Sequence, residues 1–170
     1  MNFLDKNHIQ GAVSLTCAYG LYYNDTLVAV GGFNKLRNSM NKKSITDAWD
    51  MIRYATDINY HIIGGCGKII SNFVKLENCK YIKTLADLRW SDSSNNIYIS
   101  LGFSESSRVE PRYFYTDGHK RLGRFNFRKD KIKEKFPDIY DEKLTEFEMM
   151  DKTYFERIWD AGKITYEKHF

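Results

Sequence analysis

The chain has 170 residues, of which 42% are hydrophobic and 15% aromatic, enough for the core of one domain without disulfides or metals. It contains no run of about 18 apolar residues and no signal-peptide pattern, so we expect neither a membrane span nor secretion. Its 3 cysteines lack zinc-ligand spacing and indicate reduced thiols in a cytoplasmic protein.

The net charge of +4 is unevenly distributed along the chain. Residues 108–135 contain ten basic and four acidic residues, whereas residues 136–170 contain five basic and nine acidic ones. Clustered positive charge suits a polyanion better than a small neutral ligand, but an ordinary solvated helix can have the same composition. The sequence therefore leaves open whether this segment contacts nucleic acid.

The first half of the chain predicts three strands, a glycine-rich turn and a helix. Two runs rich in aromatic and β-branched residues flank Asn24-Asp25, a favoured hairpin turn, and Gly31-Gly32 predicts a bulge or a close backbone approach. A polar, basic surface loop is expected over residues 35–44. The segment "AWDMIRYAT" at 48–56 predicts a third strand, and "GGCG" at 64–67 precedes apolar residues at helical spacing.

The second half predicts a strand at "YIKTLAD" (81–87) and a helix within "SDSSNNIYISLGF" (91–103) that ends at Gly102. A hairpin around Asp117-Gly118 joins "PRYFYTD" to "RLGRFNFR". A basic helix ended by Pro137, a helix capped by Thr145 and a last hairpin or strand pair follow. This order predicts an α+β (mixed α/β) fold: a core of residues 1–127, with a C-terminal helix and hairpin extension, 128–170, packed on it as a single domain.

Two of these motifs resemble signatures of the GNAT (acetyltransferase) family. In that family a strand leads into a Gly-x-Gly loop at a helix N-terminus, where backbone amides hold the pyrophosphate of acetyl-CoA, and Gly65-Cys66-Gly67-Lys68 is similar. The family's next signature is a helix with a tyrosine shortly before Gly-Phe, which "NNIYISLGF" resembles. The resemblance implies a twisted central sheet flanked by helices and Tyr98 as the proton donor to the leaving thiolate. It also implies an acetyl-CoA or related acyl donor bound by Gly64, Gly65, Gly67 and Lys68.

Almost the whole chain also resembles one subfamily of GNAT-like proteins. Stretches such as "GLYYNDTLVAVGGF" and "LADLRWSDSSNNIYISLGF" are similar to phage-encoded GNAT-like proteins. That group is related to Mom-type DNA-modification proteins and to the GNAT-like domain associated with phage homing endonucleases. It implies a DNA-acting protein in the cytoplasm of a bacterial host, first of all an acyl-type transferase that modifies a DNA base. A non-catalytic DNA-binding module and an effector that binds a host protein are the alternatives.

Three residues are candidates for proton transfer. Asp87 ends a predicted strand, where sites gather in open sheets, and would act as a general base, cap the next helix or pair with Arg89. Tyr98 would act as an acid or simply pack on the sheet. His8 would act as a base, a metal ligand or a DNA contact, or be satisfied by the backbone. The four histidines form no spaced cluster, so the sequence supports no metal site and leaves a metal requirement open.

The remaining candidates are basic residues expected to contact phosphate groups of nucleic acid. Alternate residues of a hairpin share a face, so the basic residues of the second hairpin cannot all point the same way. Arg53 lies in an otherwise apolar strand and would either bind phosphate in a cleft or pair with Asp87. The full set is Arg53, Arg89, Arg112, Lys120, Arg121, Arg124, Arg128 and Lys129.

Overall fold

The computed structural model describes residues 2–36 and 47–170. The predicted loop over 35–44 therefore lies almost entirely outside the described residues. The strands are β1 (Cys17–Tyr23), β2 (Thr26–Lys35), β3 (Ala48–Thr56), β4 (Tyr81–Asp87), β5 (Ser104–Val109), β6 (Tyr113–Thr116), β7 (Arg121–Leu122), β8 (Glu156–Trp159) and β9 (Lys163–His169). The α-helices are α1 (Asn2–Asn7), α2 (Gly65–Leu76), α3 (Ile97–Ser100), α4 (Lys129–Lys135) and α5 (Glu146–Met150).

The chain divides into two compact units, residues 1–109 with 163–170 and residues 110–162. The boundary thus falls at residue 110, whereas the sequence predicts it at 128, and the last strand belongs to the first unit. Each unit has a sheet: β1-β2-β3-β4-β9-β5 in the first and β7-β6-β8 in the second. The predicted class, a mixed α/β fold with a central sheet flanked by helices, is confirmed.

The first hairpin forms where the sequence predicts it. Asn24 and Asp25 have φ angles of 44° and 61°, and left-handed backbone at both central positions matches the twist of the flanking strands. β1, β2 and β3 then pair antiparallel, and β3 pairs with β4 in parallel. The register of β2 with β3 shifts between Gly32 and Phe33, opposite Ile52. The pairing of β3 with β4 ends at Met51 and Thr84, so the two strands part beyond these residues.

The apolar side of α2 packs on the sheet and forms the main core of the first unit. Phe73 is fully buried, stacks on Phe33 with ring centroids 3.7 Å apart, and meets the Trp49 ring edge-on at 5.2 Å. Burial of each such side chain stabilises the fold by roughly 1.5–3 kcal/mol. The helix approaches β2 closely at Gly31, where an added Cβ would lie 2.6 Å from Cγ2 of Ile69. This confirms the predicted close approach.

Two predicted elements of the first unit differ from the structure. The helix expected within 91–103 shrinks to the four residues of α3, because the Asp92 carboxylate accepts hydrogen bonds from the backbone of Ser94 and Asn95 and holds a turn. The Asn96 side chain then caps α3, and Gly102 ends it with a φ of 76°. β5 has no counterpart in the predicted elements, because "SESSRV" lies mostly exposed at a sheet edge and shows no apolar alternation.

The second unit has its own core, which includes Tyr115, Phe127, Ile132 and Met149. The hairpin around Asp117-Gly118 is present, but its second strand has two residues and residues 124–127 form a 3₁₀ turn. The predicted cap of α5 is confirmed as a capping box between Thr145 and Glu148.

The last two strands are not a hairpin. β8 pairs with β6 in the sheet of the second unit, whereas β9 pairs with β4 and β5 in that of the first. None of the described helices has both the length and the apolar composition needed to cross a membrane.

Candidate functional site

A cavity of about 430 Å³ opens where β3 and β4 part. Its walls are residues 50–54 of β3, residues 83–87 of β4 and residues 8–10 after α1, together with Trp90, Ser91, Tyr98 and Lys163. His8, Asp87 and Tyr98, which the sequence offers as proton-transfer candidates on three separate segments, all line this cleft. The structure therefore brings these candidates together.

Tyr98 is held at the point where the strands part. Tyr98 and Thr84 both line the cleft, and the buried Thr84 hydroxyl donates to the carbonyl of Met51 at 3.0 Å. The Tyr98 ring packs against those of Phe103 and Tyr166. Burial raises the pKa of Tyr98, so the phenol keeps its proton at neutral pH. The phenol therefore carries a proton in the cleft at neutral pH.

Asp87 is engaged by Arg89. Oδ1 and Oδ2 both accept hydrogen bonds from the Arg89 guanidinium, at 3.0 Å from Nε and 2.5 Å from Nη2. Lys163 lies beside Asp87 as its register partner on β9. The hydrogen bonds from Arg89 lower the pKa of Asp87. A general base acts best with a pKa near the working pH, so this clamped carboxylate suits positioning better than proton abstraction.

Asp50 is the carboxylate that the sequence analysis missed. It lies on β3 in the same cleft, beside Lys83 of β4 in the parallel register. Burial raises the pKa of Asp50, and the charge of Lys83 only partly offsets this. A carboxylate with a raised pKa is the better base. The available signal was the same one that drew attention to Arg53: a charged residue within an apolar strand.

His8 lines the cleft, and a backbone hydrogen bond fixes the state of its imidazole ring. Its Nδ1 accepts a hydrogen bond from the backbone N–H of Gln10 at 3.1 Å. Burial, and then the charge of Arg53, lower the pKa of His8, so the ring is neutral and carries its proton on Nε2. Because Nδ1 already accepts the Gln10 hydrogen bond, it is not available to accept a proton from a substrate. His8 therefore fits the alternative in which the backbone satisfies its ring better than the role of a base.

The glycine turn forms the N-terminus of α2. Gly64 has a φ of 72°, and a Cβ there would meet no atom within 4 Å. The first intrahelical bond runs from the N–H of Lys68 to the carbonyl of Gly64, so the amides of Gly65, Cys66 and Gly67 have no partner within the helix. The first turn contains no acidic residue. Gly64 is exposed, whereas Gly65 is buried and an added Cβ there would lie 2.5 Å from Cγ2 of Ile62. Amides without a helical partner at a helix N-terminus are of the kind that binds phosphate groups.

Tyr54 connects the glycine turn to the cleft. Its side chain lines the cleft, and its hydroxyl lies 3.0 Å from the position that a Cβ on Gly65 would take. Within the part of the chain that the structure describes, neither the Gly65 nor the Gly67 amide donates to a backbone carbonyl. Burial raises the pKa of the Cys66 thiol to about 12, so this cysteine is no nucleophile at neutral pH.

The glycine turn and the segment that carries Tyr98, the two motifs singled out in the sequence, are in contact at Gly67. A Cβ on Gly67 would lie 2.8 Å from Cδ2 of Leu101, the residue that follows α3. The start of α2 and the end of the segment that carries Tyr98 are therefore in contact. A side chain at position 67 would therefore displace the Leu101 side chain.

The basic candidates fall into two sets. Arg53 lines the cleft and Arg89 pairs with Asp87 beside it, whereas the other six belong to the second unit. That unit contains twelve basic and twelve acidic residues, so the positive block is balanced within its own unit. Its six candidates are Arg112, Lys120, Arg121, Arg124, Arg128 and Lys129.

Several of these six interact inside the unit. Arg124 pairs with Glu146 at 2.8 Å, Arg128 pairs with Asp130 at 3.0 Å, and Lys129 donates to the carbonyl of Glu142. Arg121 stacks on the ring of Phe114 at 3.7 Å. Among residues 2–36 and 47–170, no ion pair involves Arg112, Lys120 or Arg121. Within the same ranges, no group of three His, Cys, Asp or Glu side chains is placed to hold a metal ion.

No protein-family model matches the sequence, and no curated protein matches it. Solved structures with a similar fold include an acetyltransferase from Bacillus subtilis in complex with CoA, at 12% identity and a TM-score of 0.49, covering 90% of this chain and 76% of that one. The ribosomal-protein-S18-alanine N-acetyltransferase from Escherichia coli is 10% identical with a TM-score of 0.49, covering 98% of this chain and 83% of that one. A GNAT family acetyltransferase from Elizabethkingia anophelis with acetyl-CoA bound is 11% identical with a TM-score of 0.45, covering 90% and 75%.

Proposed function

We propose that this protein transfers an acyl group from a coenzyme A thioester to an amine bound in the cleft. The observation that carries the proposal is the link through Tyr54: this β3 residue lines the cleft, and its hydroxyl lies 3.0 Å from the position that a Cβ on Gly65 of the glycine turn would take. A donor anchored by its phosphates at the turn would have its acyl end within the opening between β3 and β4. The motif resemblance of Gly65-Cys66-Gly67 and of Tyr98 supports the same assignment.

The donor would be held by the amides of Gly65 and Gly67, with Lys68 adding positive charge and Gly64 allowing close approach. When bound, a coenzyme A thioester supplies an activated carbonyl carbon and a thiolate leaving group. Asp50 would accept a proton from the attacking amine. Tyr98 would hold a proton for the departing sulfur, since burial keeps its phenol protonated.

The acceptor amine is proposed to belong to a nucleic acid base, which makes DNA the partner. Trp90 lines the cleft and is 67% exposed, so its ring offers a stacking face for a base. Arg112, Lys120 and Arg121 are available for phosphate contacts in the second unit. The phage origin, the cytoplasmic location in a bacterial host and the association with homing endonucleases stay predictions of the sequence resemblance.

Two measurements test the proposal. Calorimetric titration with acetyl-CoA should give micromolar binding, and Lys68→Met should weaken it; an absence of binding at millimolar donor would overturn the donor assignment.

Mass spectrometry of nucleosides from DNA of expressing cells should reveal an acylated base that disappears with Asp50→Asn. Donor binding together with unmodified DNA would point to a different amine acceptor. DNA binding without donor binding would favour a non-catalytic module.

A further inference from the structure

Arg53 is a half-buried cation without an acidic partner among the described residues. Its Nε donates to the carbonyl of Gly11 at 3.1 Å and its Nη1 donates to the carbonyl of Ile52 at 2.9 Å. Within residues 2–36 and 47–170 no carboxylate forms an ion pair with it, and Asp87, the partner considered from the sequence, pairs with Arg89. The two carbonyls fix the guanidinium but leave its charge unneutralised.

The rest of the cleft does not supply the missing negative charge. Its walls carry Arg53, Lys83 and Lys163 against two carboxylates. Asp50 is matched by its neighbour Lys83, and Asp87 is matched by Arg89 with Lys163 also beside it. A partly buried charge without a counter-charge favours the binding of a ligand of opposite charge. The cleft therefore has surplus positive charge on one wall.

The donors left at this wall match a tetrahedral anion. The guanidinium has five N–H groups, of which two are used by Gly11 and Ile52, so three remain. His8, whose pKa is lowered in part by the charge of Arg53, lines the same cleft, and among the described residues its ring makes one hydrogen bond, at Nδ1, which leaves the Nε2–H. A phosphate has more acceptor oxygens than a carboxylate and can bind a guanidinium and an imidazole at once.

We infer that Arg53 is the anion-binding residue of the cleft and that the molecule acylated there carries a phosphate group beside its amine. The inference rests on the proposed function in treating the cleft as the acceptor site. It deepens that function by locating a phosphate contact inside the cleft, apart from the basic residues of the second unit. The phosphate is either the diester of a nucleic acid or the monoester of a free nucleotide.

The test is calorimetric titration in phosphate-free buffer with deoxyadenosine, deoxyadenosine monophosphate and the dinucleotide d(ApA). We expect the phosphate-bearing ligands to bind at least tenfold tighter than the nucleoside. Arg53→Met should remove that difference, because it deletes the charge-assisted hydrogen bonds and keeps the bulk. Arg53→Lys should restore part of it. A preference for d(ApA) identifies the diester as the source, and a preference for the monophosphate identifies the monoester.

Lys68→Met is the matched control, because Lys68 is the basic residue of the glycine turn. It should weaken titrated coenzyme A and leave the nucleotide affinity within about twofold. Loss of nucleotide binding in Lys68→Met but not in Arg53→Met, or equal affinity for nucleoside and nucleotide, would overturn the inference. If Arg53→Met does not fold, the NMR signal of the Arg53 Nε–H in the unaltered protein decides: a shift on adding nucleotide supports the inference and an unmoved signal refutes it. Failure of coenzyme A to bind bears on the proposed function alone.

Discussion

Tyr98 is the residue whose chemistry is most sharply defined by its surroundings. Burial raises the pKa of Tyr98, so its hydroxyl keeps its proton at neutral pH. Tyr98→Phe removes one oxygen and should lower the acyl-transfer rate about 100-fold, with the affinity for acetyl-CoA unchanged. Steady-state rates and calorimetry measure the two quantities. A fall in donor affinity that accounts for the whole loss of rate would contradict the role as an acid.

The cleft contains two carboxylates whose environments shift their pKa values in opposite directions, and this gives a pH test. Burial raises the pKa of Asp50, whereas the Arg89 hydrogen bonds lower that of Asp87. If Asp50 is the base, kcat/KM should fall as the pH drops through a value above the ordinary aspartate pKa. Asp50→Asn should abolish activity, and Asp87→Asn should leave that acidic limb in place. An acidic limb that vanishes only in Asp87→Asn would reverse the assignment.

The same shift has a consequence for stability. A carboxyl whose pKa is raised on folding favours the folded state below its unfolded pKa, and this advantage is lost as the pH rises through the raised value. At neutral pH the charged Asp50 therefore lowers the free energy of unfolding relative to an uncharged side chain at this position. Asp50→Asn should unfold at the same temperature as the unaltered protein or higher at pH 7, and the difference should shrink at pH 4. A lower melting temperature at pH 7 would show that Lys83 more than compensates for burial.

At the scale of elements, the sequence predicted strands and helices wherever an apolar pattern marks burial. β1, β2, β3, α2 and β4 all lie where expected, since they bury one face or both. β5 was missed because an exposed edge strand needs no apolar residues. The cleft itself was only partly predictable: Tyr98 and the glycine turn belong to local motifs, whereas Asp50 becomes a site residue only through the parting of β3 from β4.

The packing of α2 on β2 gives a prediction at this scale. Gly31→Ala would place a methyl group 2.6 Å from Cγ2 of Ile69, and the helix or the side chain must shift. We expect a loss of about 1–3 kcal/mol in the free energy of unfolding, measured by urea denaturation. Gly123→Ala is the control, because its Cβ would meet no atom within 4 Å and its φ of −66° suits any residue. Equal stability of both variants would show that α2 adapts without cost.

At the scale of the whole molecule, the second unit is inserted in the chain between β5 and β9, two neighbouring strands of the first unit's sheet. Val109, the last residue of β5, and Lys163, the first residue of β9, are antiparallel register partners, so the chain leaves and re-enters the first unit at adjacent positions. The core of residues 1–109 and 163–170 and the core of residues 110–162 are built from different clusters of side chains. The cleft and the glycine turn are both composed of residues of the first unit.

This arrangement predicts that residues 110–162 can be replaced by a short turn. A two-residue Asn-Gly loop between Val109 and Lys163 should close β5 and β9 into a hairpin. The shortened chain should keep the acetyl-CoA affinity of the full protein, because the glycine turn is retained. If Arg112, Lys120 and Arg121 provide phosphate contacts, it should also lose their share of the salt dependence of duplex DNA binding, visible as a flatter slope of log K against log salt, while the Arg53 contact remains. Electrophoretic shift at two salt concentrations measures that slope, and the triple alanine variant in the full chain is its control. An unchanged slope in both proteins would place the phosphate contacts of DNA in the first unit.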